Sequence, residues 1–259
     1  MTHLLGRAVH LPGDMVMSAE IGSPQRADGR RLVVDIHAHV RQLILDGTLP
    51  PGSTVAQAEL ARTLGVSRTP LREAFRMLQE EGLLETAPNQ RARVSDIDVA
   101  YVDQVYGARI LLESLGIALT LPELNAERLS EMRALLGRME TLAGAGDWKS
   151  WQQVHHDFHA VHSARIGGQV RQIMSSLAEH CQRYITQNRV HEAQTLDVAH
   201  REHTKLLEAL ESGDQSTAVE SIVRHLARTV LTTMAHTAPE YEPVGVRTAL
   251  RMVLGTAQD

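Results

Sequence analysis

The chain is poor in cysteine and in aromatic residues. Its 259 residues include a single cysteine, Cys181, and aromatic residues make up only 3%. One cysteine excludes an internal disulfide framework and favours a reducing compartment. Few aromatic rings argue against stacking platforms for single-stranded nucleic acid. The start lacks a signal-peptide layout, because Gly13, Asp14 and Glu20 interrupt any apolar core. No apolar run approaches a membrane span, so the sequence predicts a cytoplasmic protein without a membrane partner.

Positive charge is also scarce, and it is unevenly divided. The chain carries 26 Lys and Arg against 31 Asp and Glu, a net charge of −5. Residues 31–97 hold 8 basic and 8 acidic residues, whereas residues 98–238 hold 13 and 17. The acidity therefore belongs to the second part. A first part of zero net charge could bind DNA tightly only through a few placed arginines and two copies of the chain.

Residues 60–84 read as two short helices joined at Gly65. Ser67 is expected to cap the second helix through its hydroxyl. Pro70 falls in the first turn of that helix, where its missing N–H breaks no hydrogen bond. The helix is expected to end at Gly82. The inner face of the second helix is apolar, with Leu71, Phe75 and Leu78. A helix, a tight turn and a second helix form the shape that enters the major groove of DNA.

An arginine stripe follows the outer face of that second helix. Arg68, Arg72 and Arg76 are four residues apart and share one side. Such a stripe can contact phosphates or the acceptor edge of guanine. The alternative is a solvated, salt-bridged face, because Glu73 and Glu80 lie on the same helix.

Short strand candidates follow the second helix. Residues 83–86 and 91–95 flank a turn at Pro88-Asn89 and predict a hairpin. Upstream, residues 32–45 have apolar positions near helical spacing and predict a first helix. Together these elements predict a winged helix-turn-helix over residues 31–97.

The motifs of this region resemble the DNA-binding domain of GntR-type bacterial regulators over roughly residues 32–97. The resemblance rests on PG at 51–52, LA at 60–61, LGVSRTPLREAFRML at 64–78 and EGLL at 81–84. It implies DNA-facing positions for Arg68, Thr69 and Arg72.

The full set of DNA-binding candidates is larger than Arg68, Thr69 and Arg72. Two positions depart from the family pattern: Ala58 stands where another arginine is usual, and Arg91 stands where the wing usually has glycine. We include Arg76 from the stripe, and the six candidates are Ser67, Arg68, Thr69, Arg72, Arg76 and Arg91.

The remainder of the chain is predicted to be helical. Residues 1–30 lack a sustained period and read as a mobile arm. No convincing strand lies in residues 98–238, where breakers divide the segment into about six helices of an antiparallel bundle. Residues 239–259 read as a C-terminal tail. The predicted fold class is mainly α, with an N-terminal winged helix-turn-helix and a C-terminal all-α bundle.

Histidines are numerous, with 14 in the chain. His155 and His159 are four apart on one helix, and His203 and His225 lie at matching heights on either side of a turn at residues 212–214. Three helices could thus direct four imidazoles at one divalent metal, zinc or nickel. The alternative is that histidine is merely frequent here.

Residues 98–236 resemble the all-helical, FCD-type effector domain of the FadR-like subfamily. The motifs are WQQVHHDFH at 151–159, EH at 202–203, LLEAL at 206–210, GD at 213–214 and RHL at 224–226. The resemblance implies a divalent metal held by His159, His203 and His225. His155 stands where aspartate is usual.

Arg109 matches a family arginine that faces the pocket. The resemblance implies that it could hold a ligand carboxylate, and the alternative is a structural ion pair with a neighbouring helix.

The expected function is a homodimeric transcription repressor that binds palindromic double-stranded operator DNA. A small organic or sugar acid, bound beside the metal, would control it. Two alternatives stay open: a metal-dependent hydrolase carrying a DNA-binding domain, and a regulator whose metal is only structural.

Overall fold

The computed structural model describes residues 29–87, 91–187 and 193–255. The chain divides between Ile97 and Asp98 into two compact units. Each unit has its own hydrophobic residues and is described separately.

The described residues of the first unit form three helices and three strands. They are α1 (Gly29–Leu45), β1 (Thr54–Ala56), α2 (Gln57–Thr63), α3 (Arg68–Glu80), β2 (Leu84–Ala87) and β3 (Arg91–Val94). This arrangement confirms the predicted winged helix-turn-helix, and α1 begins three residues earlier than expected.

The sheet of the first unit has one more strand than the sequence predicts. Its order is β1-β3-β2, and both pairings are antiparallel. Val55 lies opposite Ala92, and Leu84 lies opposite Val94. The extra strand β1 is only three residues long, which is too short for an alternation of apolar and polar residues to predict it. The predicted turn at Pro88-Asn89 lies outside the described residues.

The helix-turn-helix is held by a compact core. Leu71, Phe75 and Leu78 on α3 are almost fully buried, which confirms the predicted inner face. Gly65 and Gly82 adopt φ angles of 65° and 72°, which a side chain would strain. One prediction is wrong: Ser67 is the N-cap residue of α3, but its side chain makes no capping hydrogen bond.

The second unit is helical throughout its described residues. Its helices are α4 (Val99–Thr120), a short 3-10 helix (Leu121–Glu123), α5 (Ala126–Ala145), α6 (Trp148–His162), α7 (Gly168–Gln187), α8 (Ala193–Ser212), α9 (Gln215–Thr237) and α10 (Val244–Leu254). The six long helices up to α9 match the predicted bundle. The Asp98 carboxylate caps α4 by accepting a hydrogen bond from the Ala100 amide at 2.9 Å.

Helix α4 lies among the other helices and packs against α7, α9 and α10. Together with the 3-10 helix it spans Val99–Glu123 and is long and apolar enough to cross a membrane by length and composition alone. That corrects the expectation that no apolar run approaches a span. Half of its apolar window is buried inside the unit, as in the core helix of a globular bundle.

The segment predicted as a tail contains a packed helix, α10. Val246 and Ala249 of α10 are buried. The carboxylate of Asp103 on α4 accepts hydrogen bonds from the amides of Gly245 at 2.6 Å and Val246 at 2.9 Å, and from the Tyr241 hydroxyl at 3.1 Å. A carboxylate at a helix N-terminus satisfies amides that have no partner within the helix, so Asp103 anchors α10.

Candidate DNA-binding surface and metal centre

The start of α3 presents the DNA-binding candidates to solvent. Ser67, Arg68, Thr69 and Arg72 are all exposed. In the described part of the chain, no hydrogen bond or ion pair engages Arg68 or Arg72. Because Leu71 on the opposite face is buried, the two guanidinium groups stand outward and are available to an anionic surface.

Arg76 differs from the other two arginines of the stripe. Its guanidinium pairs with Glu73 at 3.3 Å and with Glu80 at closer range. Both carboxylates lie on α3, one turn before and one turn after. The alternative of a salt-bridged helix face therefore holds for Arg76, whereas the side chains of Arg68 and Arg72 form no ion pair within the described residues.

The wing strands carry two arginines with different partners. Arg93 pairs with Asp96 at 2.6 Å and with Glu85 at 3.5 Å. Arg91 is exposed at the beginning of β3, beside the undescribed tip of the hairpin. Of the two, Arg91 is the one whose charge is not neutralised by these carboxylates.

Four histidines meet inside the second unit, as the sequence predicts. One ring nitrogen from each of His155, His159, His203 and His225 lies within 4.8 Å of the other three. The Nε2 atom of His159 is 3.0 Å from His155 Nε2 and 3.2 Å from His203 Nε2. Helix α6 supplies the first pair, and the α8–α9 hairpin supplies the second.

The donor set fits a divalent transition metal. Imidazole nitrogens about 2.0–2.1 Å from a tetrahedral zinc would be roughly 3.3 Å apart, close to the two short separations in the cluster. Three Nε2 atoms converge, at separations of 3.0 and 3.2 Å. With their protons on Nδ1, these nitrogens could bind one ion together, and borderline metals such as zinc and nickel suit nitrogen ligands.

Burial keeps these imidazoles neutral. Removal from water lowers the pKa of His159 and His203 well below the ordinary value, and the neighbouring imidazoles lower it further. The pKa of His155 is also well below its ordinary value, because of burial and the nearby charges of His225 and Arg109. Neutral imidazole is the metal-binding form.

Side chains outside the four candidates orient the rings. His225 Nδ1 lies 2.8 Å from Glu202 Oε2, and Arg228 donates two hydrogen bonds to the same carboxylate at 2.6 and 2.7 Å. Burial alone would raise the pKa of Glu202, but hydrogen bonds from His225 and Arg228 lower it to about 2. An ionised Glu202 fixes the proton of His225 on Nδ1 and leaves Nε2 to face the cluster. The indole of Trp151 stacks on His155 with ring centroids 4.7 Å apart.

A second chain of buried polar groups leads from the cluster to α4. His159 Nδ1 is 3.0 Å from His162 Nε2, and His162 Nδ1 is 3.8 Å from Glu113 Oε2. Sequence reasoning left His162 among the surplus histidines. Its spacing of three from His159 was the available signal, because residues three apart share a helix face.

Arg109 lies at the end of this chain, on the inner face of α4. Its Nε donates to Glu113 at 3.2 Å, and both side chains are buried. Burial opposes its charge, but Glu113 holds the pKa of the guanidinium above its ordinary value. The ion pair joins two residues of one helix rather than neighbouring helices. Its positive charge also contributes to the lowered pKa of His155 and His225, so Arg109 lies close enough to influence the cluster.

Comparisons with known proteins agree with both units. Residues 32–94 match the family described as bacterial regulatory proteins, gntR family, and residues 104–228 match the FCD domain. A probable D-xylose utilization operon transcriptional repressor from Paenarthrobacter nicotinovorans is 30% identical over 71% of this chain and 80% of its own length. The HTH-type transcriptional regulator YdhC of Bacillus subtilis is 25% identical over 74% of this chain and 86% of its own.

The fold also has solved counterparts. The structure of E. coli McbR/YncC superposes with a TM-score of 0.69 at 20% identity, covering 82% of this chain and 99% of the other. At this identity the likeness establishes the fold alone. The two curated relatives are named as a transcriptional regulator and a transcriptional repressor, which removes the hydrolase alternative. The matches to both domains, together with the free arginines of α3, establish that this chain is a transcriptional regulator belonging to the GntR family, with an FCD domain as its helical unit.

Proposed function

We propose that this regulator is a cytoplasmic, homodimeric repressor whose operator binding is controlled by a small carboxylic acid bound beside a divalent metal. The observation that carries the proposal is the cluster of four imidazole nitrogens within 4.8 Å, in the unit that follows the DNA-binding domain. A relative named as a probable transcriptional repressor of a D-xylose utilization operon supports repression rather than activation, and it supports a sugar-derived effector.

The DNA-binding part of the proposal depends on the first turn of α3. Arg68, Arg72 and Thr69 would contact bases and phosphates, with Ser67 and Arg91 at the edges of the interface. Arg72→Ala should weaken operator binding by about 1–3 kcal/mol and relax sequence preference, as for the loss of a bidentate contact to guanine. Arg138→Ala, which removes an exposed arginine of α5, is the matched control. Unchanged affinity and discrimination in gel shifts would reject this role for α3.

Two copies of the first unit are needed for tight binding. One unit of zero net charge offers few cationic contacts, whereas two units would read half-sites about one helical turn apart. Footprinting should therefore reveal a palindromic site with two protected halves. A single asymmetric half-site bound by a monomer would contradict the dimer.

The metal part of the proposal assigns His155, His159, His203 and His225 as ligands, with zinc or nickel as the ion. Such an ion supplies a positive charge that attracts an anionic ligand, because neutral imidazoles leave the charge of the metal uncompensated. The chain contributes the ligands, the orienting carboxylate of Glu202 and a largely buried setting, since three of the four imidazoles are buried.

Metal analysis after purification without chelator tests this assignment. The His203→Ala/His225→Ala double variant should lose the metal, whereas His156→Ala should retain it. His156 is the control because it is exposed and adjacent to the cluster in sequence. Equal metal content in the wild type and the double variant would eliminate the site.

The effector part of the proposal assigns a carboxylate to the metal and to Arg109. The buried Arg109 guanidinium already pairs with Glu113. An effector carboxylate would therefore either displace Glu113 from Arg109 or bind the guanidinium together with it. A thermal-shift screen of sugar acids and hydroxy acids on the metal-loaded protein should identify stabilising ligands. Arg109→Ala should weaken them. A normal effector response in the metal-free double variant would instead make the metal purely structural.

A further inference from the structure

Two buried polar atoms, one on α4 and one on α6, face each other without forming a hydrogen bond. They are Oε2 of Glu113 and Nδ1 of His162, and neither has a hydrogen-bond partner among the described residues. The two atoms are 3.8 Å apart, which exceeds the usual N–H···O distance of about 2.7–3.2 Å. The side chains of Glu113 and His162 are 6% and 0% exposed. Because unpaired polar atoms are costly and uncommon in protein interiors, this pair indicates a place where a further polar group binds.

The other polar atom of each of these two side chains is held by a residue of the proposed effector and metal site. Oε1 of Glu113 accepts a hydrogen bond from Arg109 Nε at 3.2 Å. Nε2 of His162 lies 3.0 Å from Nδ1 of His159. The two facing atoms, here named the Glu113–His162 pair, are therefore adjacent both to the guanidinium that we assign to the effector carboxylate and to the histidine cluster.

The proton positions of the Glu113–His162 pair follow from the assignment of His159 as a metal ligand. Because Nε2 of His159 is assigned to the metal, its proton is on Nδ1 and is donated to Nε2 of His162. Burial lowers the pKa of His162, so its ring is neutral and carries its single N–H on Nδ1. The carboxylate of Glu113 accepts hydrogen bonds and donates none. The pair therefore presents one donor and one acceptor.

A hydroxyl group satisfies both atoms of the pair. Its oxygen can accept the N–H of His162 while its hydrogen is donated to Oε2 of Glu113, from a position about 2.8 Å from each atom. A keto or carboxylate oxygen only accepts, and it would lie against the negative charge of Glu113. An ammonium group only donates, and it would face the N–H of His162. Water has the same hydrogen-bonding capacity as a hydroxyl, so a water molecule is the alternative occupant.

We propose that Glu113 and His162 recognise a hydroxyl group of the effector, so that the regulator binds a hydroxy acid in preference to the matching keto acid or unsubstituted acid. This inference rests on the proposed function, and it specifies a part of the effector that the metal and Arg109 do not select. It requires Glu113 to remain on Arg109 when the effector binds. One oxygen of Glu113 then holds the guanidinium that binds the effector carboxylate, and the other oxygen accepts the effector hydroxyl beside it.

Calorimetric titration of the metal-loaded full chain with matched four-carbon acids tests the proposal. Butyrate, 3-hydroxybutyrate and acetoacetate differ only at carbon 3, and butyrate, 2-hydroxybutyrate and 2-oxobutyrate differ only at carbon 2. In at least one series the hydroxy acid should bind about 10–100-fold more tightly than the other two acids, because only its hydroxyl pairs both buried atoms. The two series together leave the position of the hydroxyl to be measured.

Two variants distinguish a hydroxyl bound by this pair from a hydroxyl bound by the metal. His162→Gln can still pair with His159 but lacks a group in the position of Nδ1, so the preference for the hydroxy acid should disappear. Glu113→Gln can still pair with Arg109 but replaces the acceptor Oε2 by an N–H donor, so the preference should shift toward the keto acid. His156→Gln, an exposed position of α6, is the matched control and should keep the wild-type preference. Metal content and circular dichroism are measured for each variant, and Glu113→Gln carries the comparison if His162→Gln loses the metal.

The outcomes separate hydroxyl recognition from the proposed function. Equal affinity for all acids of both series, with Arg109→Ala still weakening each of them, would overturn hydroxyl recognition, leave the carboxylic effector intact and assign the pair to water. A hydroxyl preference that is unchanged in His162→Gln and Glu113→Gln would also overturn it, because the metal would then select the hydroxyl. If none of these acids binds the metal-loaded wild type, the small carboxylic effector of the proposed function fails together with its hydroxyl site.

Discussion

Acidifying the metal-free protein should destabilise it through the histidine cluster. Burial lowers the pKa of His159 and His203 in the folded chain well below the ordinary value, whereas in the unfolded chain the pKa of both is about 6.5. Below that pH the unfolded state binds more protons than the folded state. The stability contribution is therefore fully present above pH of about 6.5 and is lost as the pH falls toward the folded-state pKa.

The magnitude follows from linkage. Between about pH 6.5 and about pH 5.5, each histidine that stays neutral only in the folded state reduces the free energy of unfolding by about 1 kcal/mol. His159 and His203 together account for about 2 kcal/mol, and His155 and His225 add to the loss because their pKa values are lowered too. Domain stabilities are only about 5–15 kcal/mol, so the change is easily measured.

Urea unfolding of chelator-treated protein, followed by circular dichroism at these two pH values, measures the effect. The His156→Gln variant is the control, because this exposed side chain lies outside the four-histidine cluster. Saturating zinc near neutral pH should raise stability, by about 2.7 kcal/mol at a free concentration of 100 times the dissociation constant. Unfolding midpoints that are the same at both pH values would refute the description of the histidines as buried and neutral.

Three further outcomes are expected. Asp103→Ala should destabilise the helical unit by about 3 kcal/mol or more, because the α10 amides lose a buried charged acceptor, whereas exposed Asp197→Ala should have little effect in the same urea titration. Glu202→Gln should weaken metal binding by about 10–100-fold in a competition titration, because the orienting carboxylate of a ligand histidine is lost; unchanged affinity would contradict its role. Arg76→Ala should reduce the salt slope of operator binding by no more than about 1, because that guanidinium is held by acidic neighbours; a loss of base discrimination would show that it reads sequence.

The parts of this protein that sequence reasoning predicts are those governed by local geometry. His155 and His159 share a face because they are four residues apart, and His203 and His225 meet because a short turn at Gly213 folds one helix back on the next. The turn at Gly65 and the apolar face of α3 follow from the same kind of rule. Each of these turns and helix faces is determined by a few residues that are close together in the sequence.

The parts that escaped prediction depend on distant contacts. Strand β1 is too short to show an alternation of apolar and polar residues. It forms because its backbone pairs with β3. Helix α10 is defined by Asp103, more than a hundred positions upstream, and by the close approach of Gly107 to Gly245. Arg109 resisted assignment because a buried guanidinium can serve a ligand or a neighbour, and only the folded chain reveals Glu113 beside it. Ser67 has the right residue type for a cap, yet its side chain does not fill that role.

The anchoring of α10 by Asp103 has a consequence for how the protein is made. Helix α4 leaves the ribosome first among the helices of its unit, while two of the helices that cover it, α9 and α10, are the last. At about 5–20 residues per second, roughly 7 to 28 s separate the synthesis of Asp103 from that of its partners at the start of α10. During that interval the winged helix already has the residues of its core, whereas the helical unit lacks the groups that satisfy its buried carboxylate. The DNA-binding unit is thus synthesised in full before the helical unit, to which we assign the effector.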